Sequence, residues 1–144
     1  MLLKLLNLAV TPRVAVGSDI VWVPDIRASV EQFGERYLKF IFTEKEIANC
    51  TRNKEEISCW GLAARFAAKE ATMKMLRPNR DQLLPWRSIE VVQSPNGAVN
   101  IKLHAPASRM AGAAGIDQIT LSMSHERDYA TAVVVGMGKA TYHQ

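Results

Sequence analysis

The spacing of apolar residues changes at Pro78, and this change limits the possible folds more than any other feature of the chain. The segment of about 57 to 76 has apolar residues at helical intervals, and Pro78 prevents a helix there from running much further. After Pro78 the chain adopts a period of two, which is typical of half-buried strands, over 88–93, 98–103, 119–124 and 129–136. We therefore predict a single α+β domain in which an antiparallel sheet packs against a long helix.

Shorter signals place the remaining elements. A β-branched, apolar run over 13–23 predicts a central strand, and the pattern of 26–42 predicts a helix. Thr43 and Glu46 have the spacing of a capping box, so a short helix is expected to begin there. The remaining signals are a hairpin turn at Asn96 and Gly97 and a short helix within 105–115, a segment with an early proline and a final glycine.

Glu70 lies within the apolar stripe of the predicted long helix. The other members of this stripe are Leu62, Phe66, Met73 and Leu76. Asp19 is a second acid within an apolar element, the strand of 13–23. Because burying an unpaired carboxylate is costly, we expect each acid to lie beside a cation.

Two kinds of cation could satisfy these acids. One is a lysine, since Lys74 follows Glu70 by four residues, the spacing of a helical ion pair. The other is Mg²⁺, which binds one or two carboxylates, keeps water ligands and completes its octahedron with substrate phosphate oxygens. Arg65, Lys69 and Lys74 lie near Glu70 in the sequence, and such residues bind polyphosphates.

The composition limits the class and compartment of the protein. Its 144 residues suffice for one domain, which we place at 13–144 after an N-terminal extension of 1–12. The extension lacks the small-residue cleavage site of a signal peptide, and no apolar run is long enough to cross a bilayer. Cys50 and Cys59 fit neither a disulfide framework nor a metal-binding pair, so we expect a cytoplasmic protein.

The net charge favours anionic partners weakly. The 18 lysines and arginines exceed the 14 acidic residues, which gives a formal charge of +4. The basic residues are spread along the chain, apart from a local cluster in 65–87, without the dense stripe typical of nucleic-acid-binding modules. We expect neither a nucleic-acid partner nor a membrane partner.

Three motifs resemble those of the phosphopantetheinyl transferases. They are GSDI at 17–20, FTEKE at 42–46 and RFAAKEATMK at 65–74, and SMSHERDYATAVVV resembles the closing hairpin of the same family. The order and spacing of the motifs are similar to the short, single-domain branch, the holo-[acyl-carrier-protein] synthase type. The resemblance covers roughly residues 13–136.

The resemblance implies transfer of the phosphopantetheine arm of coenzyme A to a serine of an acidic apo carrier protein, with release of adenosine 3′,5′-bisphosphate. It makes Asp19 and Glu70 ligands of Mg²⁺ and catalytic residues together with Lys74. Glu70 or a Mg²⁺-bound water would accept the serine proton. The residues that the resemblance places near coenzyme A are Arg65, Lys69, Lys74, Asn96, Gly97, Ser124 and His125.

The same resemblance implies a homotrimer with sites at subunit interfaces. Arg27, Arg36 and Lys39, in the predicted helix after the Asp19 strand, are the candidate contacts to the carrier protein.

The chain departs from the family pattern in three places. A segment with Arg77 and Arg80 replaces a glycine-containing loop after Lys74, and the turn at Gly97 continues with Ala98 and Val99 instead of a basic residue and a proline. Trp22 and Asp25 stand where polar or basic residues are common. These departures leave open a second function, a non-catalytic module that binds coenzyme A or a carrier protein.

Overall fold

Helices and antiparallel strands follow one another in a computed structural model that describes residues 13–139. The expected extension of 1–12 lies outside the described residues. The helices are α1 (Val23–Phe33), α2 (Glu35–Ile41), α3 (Glu44–Cys50), α4 (Cys59–Leu76) and α5 (Ala107–Ala113). The strands are β1 (Arg13–Trp22), β2 (Thr51–Arg52), β3 (Glu56–Ile57), β4 (Ile89–Gln93), β5 (Val99–Leu103), β6 (Gln118–Glu126) and β7 (Tyr129–Gly138).

The main sheet has three antiparallel strands in the order β1-β7-β6, and the long helix α4 packs against its inner face. Strands β4 and β5 form a separate hairpin beside α4. The predicted α+β architecture is therefore confirmed. No helix within residues 13–139 is long and apolar enough to cross a membrane.

Gly17 brings the central strand close to the long helix. A Cβ atom at Gly17 would lie 1.8 Å from the carbonyl oxygen of Ala71, so only glycine permits this approach. Ala67 and Ala71 have no exposed surface, and their small side chains let the strand and helix backbones lie close together. As a result Asp19, two residues after Gly17, reaches the side of α4 that carries Lys74.

The helix predicted over 26–42 is divided in two. Helix α1 begins at Val23, with proline in its first turn, and ends at Phe33; Gly34 then has a φ of 55° and a ψ of −135°, which only glycine adopts readily. The capping box of α3 is confirmed, because Thr43 Oγ1 accepts a hydrogen bond from Glu46 N while a Glu46 carboxylate oxygen accepts one from Thr43 N.

The β4–β5 turn differs in detail from an Asn-Gly turn. Gly97 N donates to Ser94 O and Ser94 N donates to Ala98 O, both at 2.8 Å, so Pro95 and Asn96 occupy the central positions. Only Gly97, with a φ of 86°, has a positive φ in this turn. The hairpin therefore has a three-residue loop that ends in a left-handed glycine.

Helix α4 buries only part of its predicted apolar stripe, because the two leucines at the ends of the stripe are buried and its middle is not. The most buried positions include a series of alanines, together with Thr72 and Met75. Phe66 and Met73 are only half-buried, and Glu70 is half-buried beside the exposed Lys74. Glu70 therefore lies at the border of the buried face and not in its centre, because the close approach of β1 makes the alanine face the interior.

Candidate active site

Asp19 of β1 and Glu70 of α4 form an acidic pair at the edge of the strand–helix contact. The Asp19 side chain is 17% exposed, and Glu70 is half-buried. Burial raises the pKa of Glu70, the negative charge of Asp19 raises it further, and Lys74 opposes both effects. The two carboxylates are therefore close enough to repel each other.

Lys74 supplies the cation for Asp19. Its Nζ atom lies 2.9 Å from Asp19 Oδ1 and donates a second hydrogen bond of 3.0 Å to Ser18 O. The alternative pairing of Lys74 with Glu70 is not formed, and Glu70 makes no ion pair with any residue of 13–139. The Lys74 side chain is 54% exposed, so it can reach a ligand without unfolding the helix.

The acidic pair fits Mg²⁺ better than a transition metal. Within residues 13–139 there is no cluster of three or more histidine, cysteine or acidic residues that would enclose a metal ion. Mg²⁺ does not need such a cage, since it binds through one or two carboxylates and takes its other ligands from water and phosphate. Asp19 contacts the Lys74 ammonium group in the folded protein, so Mg²⁺ would take the place of that cation.

Lys69 does not belong to the set of phosphate-binding residues. Its side chain has no exposed surface, and its ammonium group contacts the Glu46 carboxylate at 2.9 Å and the carbonyl oxygens of Trp86 and Ile89. The expectation that Lys69 lies near coenzyme A is thereby corrected: the residue is part of the core.

A cavity of about 730 Å³ lies at the other end of α4. Arg65 is 6% exposed at its wall and donates to Gly61 O at 3.2 Å and to Gln93 Oε1 at 3.0 Å. Its buried Nε atom has no hydrogen-bond partner among residues 13–139. Because both of its acceptors are neutral, Arg65 keeps its full positive charge toward the cavity, which therefore suits an anion.

Ser124 and His125 line the same cavity as Arg65. The structure thus brings together three residues that the resemblance places near coenzyme A, although β6 and the start of α4 are far apart in the chain. Asn96 and Gly97 do not line the cavity; Gln93 and Val99, on either side of their turn, do so.

Other residues that line the cavity were not predicted from the sequence to lie near coenzyme A. These are Arg27, Arg52 and Trp60. Trp60 stands at the second position of α4, and Arg27 was expected on the carrier-protein surface. No local pattern connects Arg27 with Trp60, because the contact is made only when α1 packs beside α4.

Arg77 and Arg80 are both exposed after the last turn of α4. Arg77 has a φ of 51° and its N–H donates to Met73 O, so it ends the helix where the family pattern has a glycine-containing loop.

The acidic pair and the cavity lie on different sides of α4. Arg65 and Glu70 are five residues apart, which in a helix corresponds to about 7.5 Å along the axis and about 140° around it. Glu70 therefore lies half-buried beside β1, whereas Arg65 faces the β4–β5 hairpin.

Comparison with known proteins relates this arrangement to one family. The family model described as the 4′-phosphopantetheinyl transferase superfamily matches residues 15–134. A holo-[acyl-carrier-protein] synthase of Chlamydia felis is 38% identical over 122 residues, which cover 85% of this chain and 95% of the relative. The enzyme of the same name from Dehalococcoides mccartyi is 40% identical over 119 residues, which cover 83% and 94% of the two chains.

Solved structures agree with the sequence relatives. The crystal structure of Helicobacter pylori holo-[acyl-carrier-protein] synthase in complex with coenzyme A aligns with a TM-score of 0.71 at 30% identity, covering 84% of this chain and 98% of that one. The Neisseria meningitidis synthase aligns with a TM-score of 0.72 at 28% identity, covering 85% and 96%.

Proposed function

This chain belongs to the 4′-phosphopantetheinyl transferase superfamily and is of the holo-[acyl-carrier-protein] synthase type, and we propose that Asp19, Glu70 and Lys74 form its catalytic centre. The enzyme transfers the phosphopantetheine arm of coenzyme A to a serine of an apo acyl carrier protein and releases adenosine 3′,5′-bisphosphate. The observation that carries the proposed centre is the position of two carboxylates and a lysine together on the accessible side of α4.

Asp19 and Glu70 hold Mg²⁺ in this proposal. When bound, Mg²⁺ supplies positive charge that polarises the pyrophosphate and stabilises the leaving bisphosphate. Lys74, released from Asp19, contacts a phosphate oxygen of coenzyme A and neutralises part of the developing negative charge. Its exposed, flexible side chain makes this change of partner possible.

Glu70 accepts the proton of the attacking serine. In the protein without Mg²⁺, Glu70 has no ion pair within residues 13–139, so a carboxylate oxygen remains available to accept this proton.

The cavity beside Arg65 takes the nucleotide end of coenzyme A. Arg65 offers a buried guanidinium without a carboxylate partner, and Ser124 and His125 offer polar atoms at the same wall. These groups suit a phosphate on a ribose.

A homotrimer completes the site. The outer face of the sheet carries exposed apolar side chains, of which Val14 is 60% and Ile20 is 62% exposed. Val16, Val133 and Met137 add to the same face. Such a continuous apolar surface suits burial against further copies of the chain. Since the acidic pair and the cavity lie on different sides of α4, assembly would let one subunit supply the acids and its neighbour the cavity.

A transfer assay tests the proposed centre. The protein is incubated with coenzyme A, Mg²⁺ and an acidic apo carrier, and the carrier is weighed by mass spectrometry. We expect the carrier to gain the mass of one phosphopantetheine group only when Mg²⁺ and coenzyme A are both present. We also propose that the enzyme acts in the cytoplasm, where both are found. Binding of coenzyme A without any gain on several carriers would instead favour the non-catalytic module.

A further inference from the structure

Trp60 connects the start of α4 with the turn between β6 and β7. Its indole N–H donates a hydrogen bond of 2.9 Å to the carbonyl oxygen of Arg127, a residue 67 positions away. Arg127 lies in that turn and has a φ of 53°. The turn is held from a second side, because Val23 N donates to Asp128 O at 2.7 Å.

The position of this turn determines the position of His125. His125 is two residues before Arg127, at the end of β6, and lines the cavity. The last register pair of the hairpin joins Glu126 to Tyr129, so a shift of the turn moves the end of β6 with it. The hydrogen bond of Trp60 therefore restrains the wall that carries Ser124 and His125.

Trp60 also supports a cation on its ring. The guanidinium carbon of Arg27 lies 5.2 Å from the centre of the indole ring. Arg27 is half-buried, lines the cavity and forms no ion pair with any residue of 13–139. A guanidinium held over an aromatic ring keeps its positive charge but loses most of its conformational freedom. It is therefore preorganised to bind an anion.

We propose that Trp60 is a positioning residue for the nucleotide end of coenzyme A: its ring holds Arg27 toward the cavity as a further phosphate contact, and its N–H holds the turn behind His125. The inference rests on the proposed use of this cavity. It moves Arg27 from the expected carrier-protein surface into the coenzyme A site.

Three variants separate the two contributions of Trp60. Trp60→Phe keeps an aromatic ring for Arg27 and removes the N–H donor. Arg27→Gln removes the cation and keeps the indole. Trp60→Ala removes both supports, and its thermal unfolding shows whether the fold survives.

Calorimetric titration with adenosine 3′,5′-bisphosphate is the primary measurement. We expect Arg27→Gln to weaken binding by about tenfold, the usual cost of one charge-assisted contact, and Trp60→Phe, which removes a neutral hydrogen bond, to weaken it by about fivefold. In the Trp60→Ala background Arg27→Gln should add little, since the guanidinium has already lost its support. Arg109→Gln on α5 and Trp86→Phe are matched controls, and both should bind as the native protein does.

The kinetic readout excludes a merely structural effect. Both Arg27→Gln and Trp60→Phe should raise the KM for coenzyme A and leave the KM for the carrier protein unchanged. The inference would be overturned if both variants bound the bisphosphate as the native protein does, or if both KM values rose equally. Transfer by the native enzyme would still support the proposed function in either case. A native protein that does not bind the bisphosphate would overturn the inference directly, and one that binds without transferring would contradict only the proposed catalysis.

Discussion

Lys69 Nζ lies 2.9 Å from a carboxylate oxygen of Glu46, and neither side chain has any surface exposed to solvent. Glu46 also accepts backbone hydrogen bonds from Thr43 N at 2.8 Å and from Val91 N at 2.7 Å. Burial lowers the pKa of Lys69, and the charge and hydrogen bond of Glu46 oppose that effect. This pair therefore joins three elements: the start of α3, strand β4 and the middle of α4.

Removing Lys69 should destabilise the fold without changing the affinity for coenzyme A. Lys69→Met leaves the Glu46 carboxylate buried without its cation, and we expect a loss of about 3–5 kcal/mol in the free energy of unfolding. Urea denaturation measures it, and Lys39→Met, in the exposed pair with Glu35, is the control with little expected effect. A stable Lys69→Met protein with a strongly raised KM for coenzyme A would show that Lys69 contributes to coenzyme A binding.

Replacing either acid of the catalytic centre should abolish transfer and leave the fold intact. Asp19→Ala and Glu70→Ala each remove a Mg²⁺ ligand from the accessible side of α4, and we expect rates to fall by at least about a hundredfold. Glu70→Gln should be nearly as damaging, since an amide is a poorer ligand and cannot accept a proton. Initial rates of bisphosphate release and thermal unfolding measure both effects.

The matched control for these acids is Asp117→Asn, an exposed acid before β6. It should transfer at the native rate. Substantial activity in Glu70→Gln would show that Glu70 is neither the ligand nor the base.

The sequence predicted the positions of the helices and strands better than it predicted which face of each helix is buried. Period and capping located β1, α3 and α4 because those signals are local. The buried face of α4 was missed because Ala67 and Ala71 contribute little to an apolar stripe and become interior only when Gly17 lets β1 approach. Whether a face of a helix is buried depends on the element that packs against it. The spacing of apolar residues along the helix carries no information about that element.

The candidate site shows the same limit. The motifs identified Asp19, Glu70 and Lys74, but they did not distinguish Lys69, one residue before Glu70, as a core residue. Adjacent helical positions point about 100° apart, so Lys69 faces Glu46 in the core while Glu70 lies half-buried beside β1. The sequence also did not reveal the contact of Arg27 with Trp60, because that contact depends on the packing of α1 beside α4.

The two cysteines should differ in reactivity. Burial raises the pKa of Cys50 to about 11, with Arg65 opposing the effect, so its thiol stays protonated at neutral pH. Cys59 is half-buried and lines the cavity. Iodoacetamide at neutral pH should modify Cys59 alone, and adenosine 3′,5′-bisphosphate, which has no thiol of its own, should slow the reaction, as followed by peptide mass spectrometry. Equal labelling of Cys50, or no protection by the bisphosphate, would contradict the described environment.

A charge on the outer face of the sheet should prevent assembly. Val16→Glu and Val133→Glu place a carboxylate on the apolar face of β1 and β7, where burial against another copy would be costly. Light scattering should change from a trimer to a monomer, and transfer should be lost with it. Leu83→Glu, at a position 87% exposed in a loop, is the matched control and should remain trimeric. A native protein that is monomeric at assay concentration would exclude the shared site.

Arg36 is the basic residue best suited to meet the carrier protein. It is exposed on α2 and forms no ion pair with any residue of 13–139, whereas Lys39 is paired with Glu35 at 3.2 Å and Arg27 faces the cavity. Charge complementarity acts mainly on the association rate and is screened by salt. Arg36→Glu should therefore raise the KM for an acidic carrier severalfold at low ionic strength and leave the KM for coenzyme A unchanged.

The salt dependence of Arg36→Glu distinguishes docking from a general loss of activity. The difference from the native enzyme should shrink at about 0.5 M salt, where charges more than a few ångströms apart no longer interact appreciably. Arg109→Glu, the same charge change on α5, should have no effect on either KM. If Arg36→Glu also behaved as the native enzyme does, the carrier would dock elsewhere, and the exposed Trp22 at the end of β1 would be the next residue to replace.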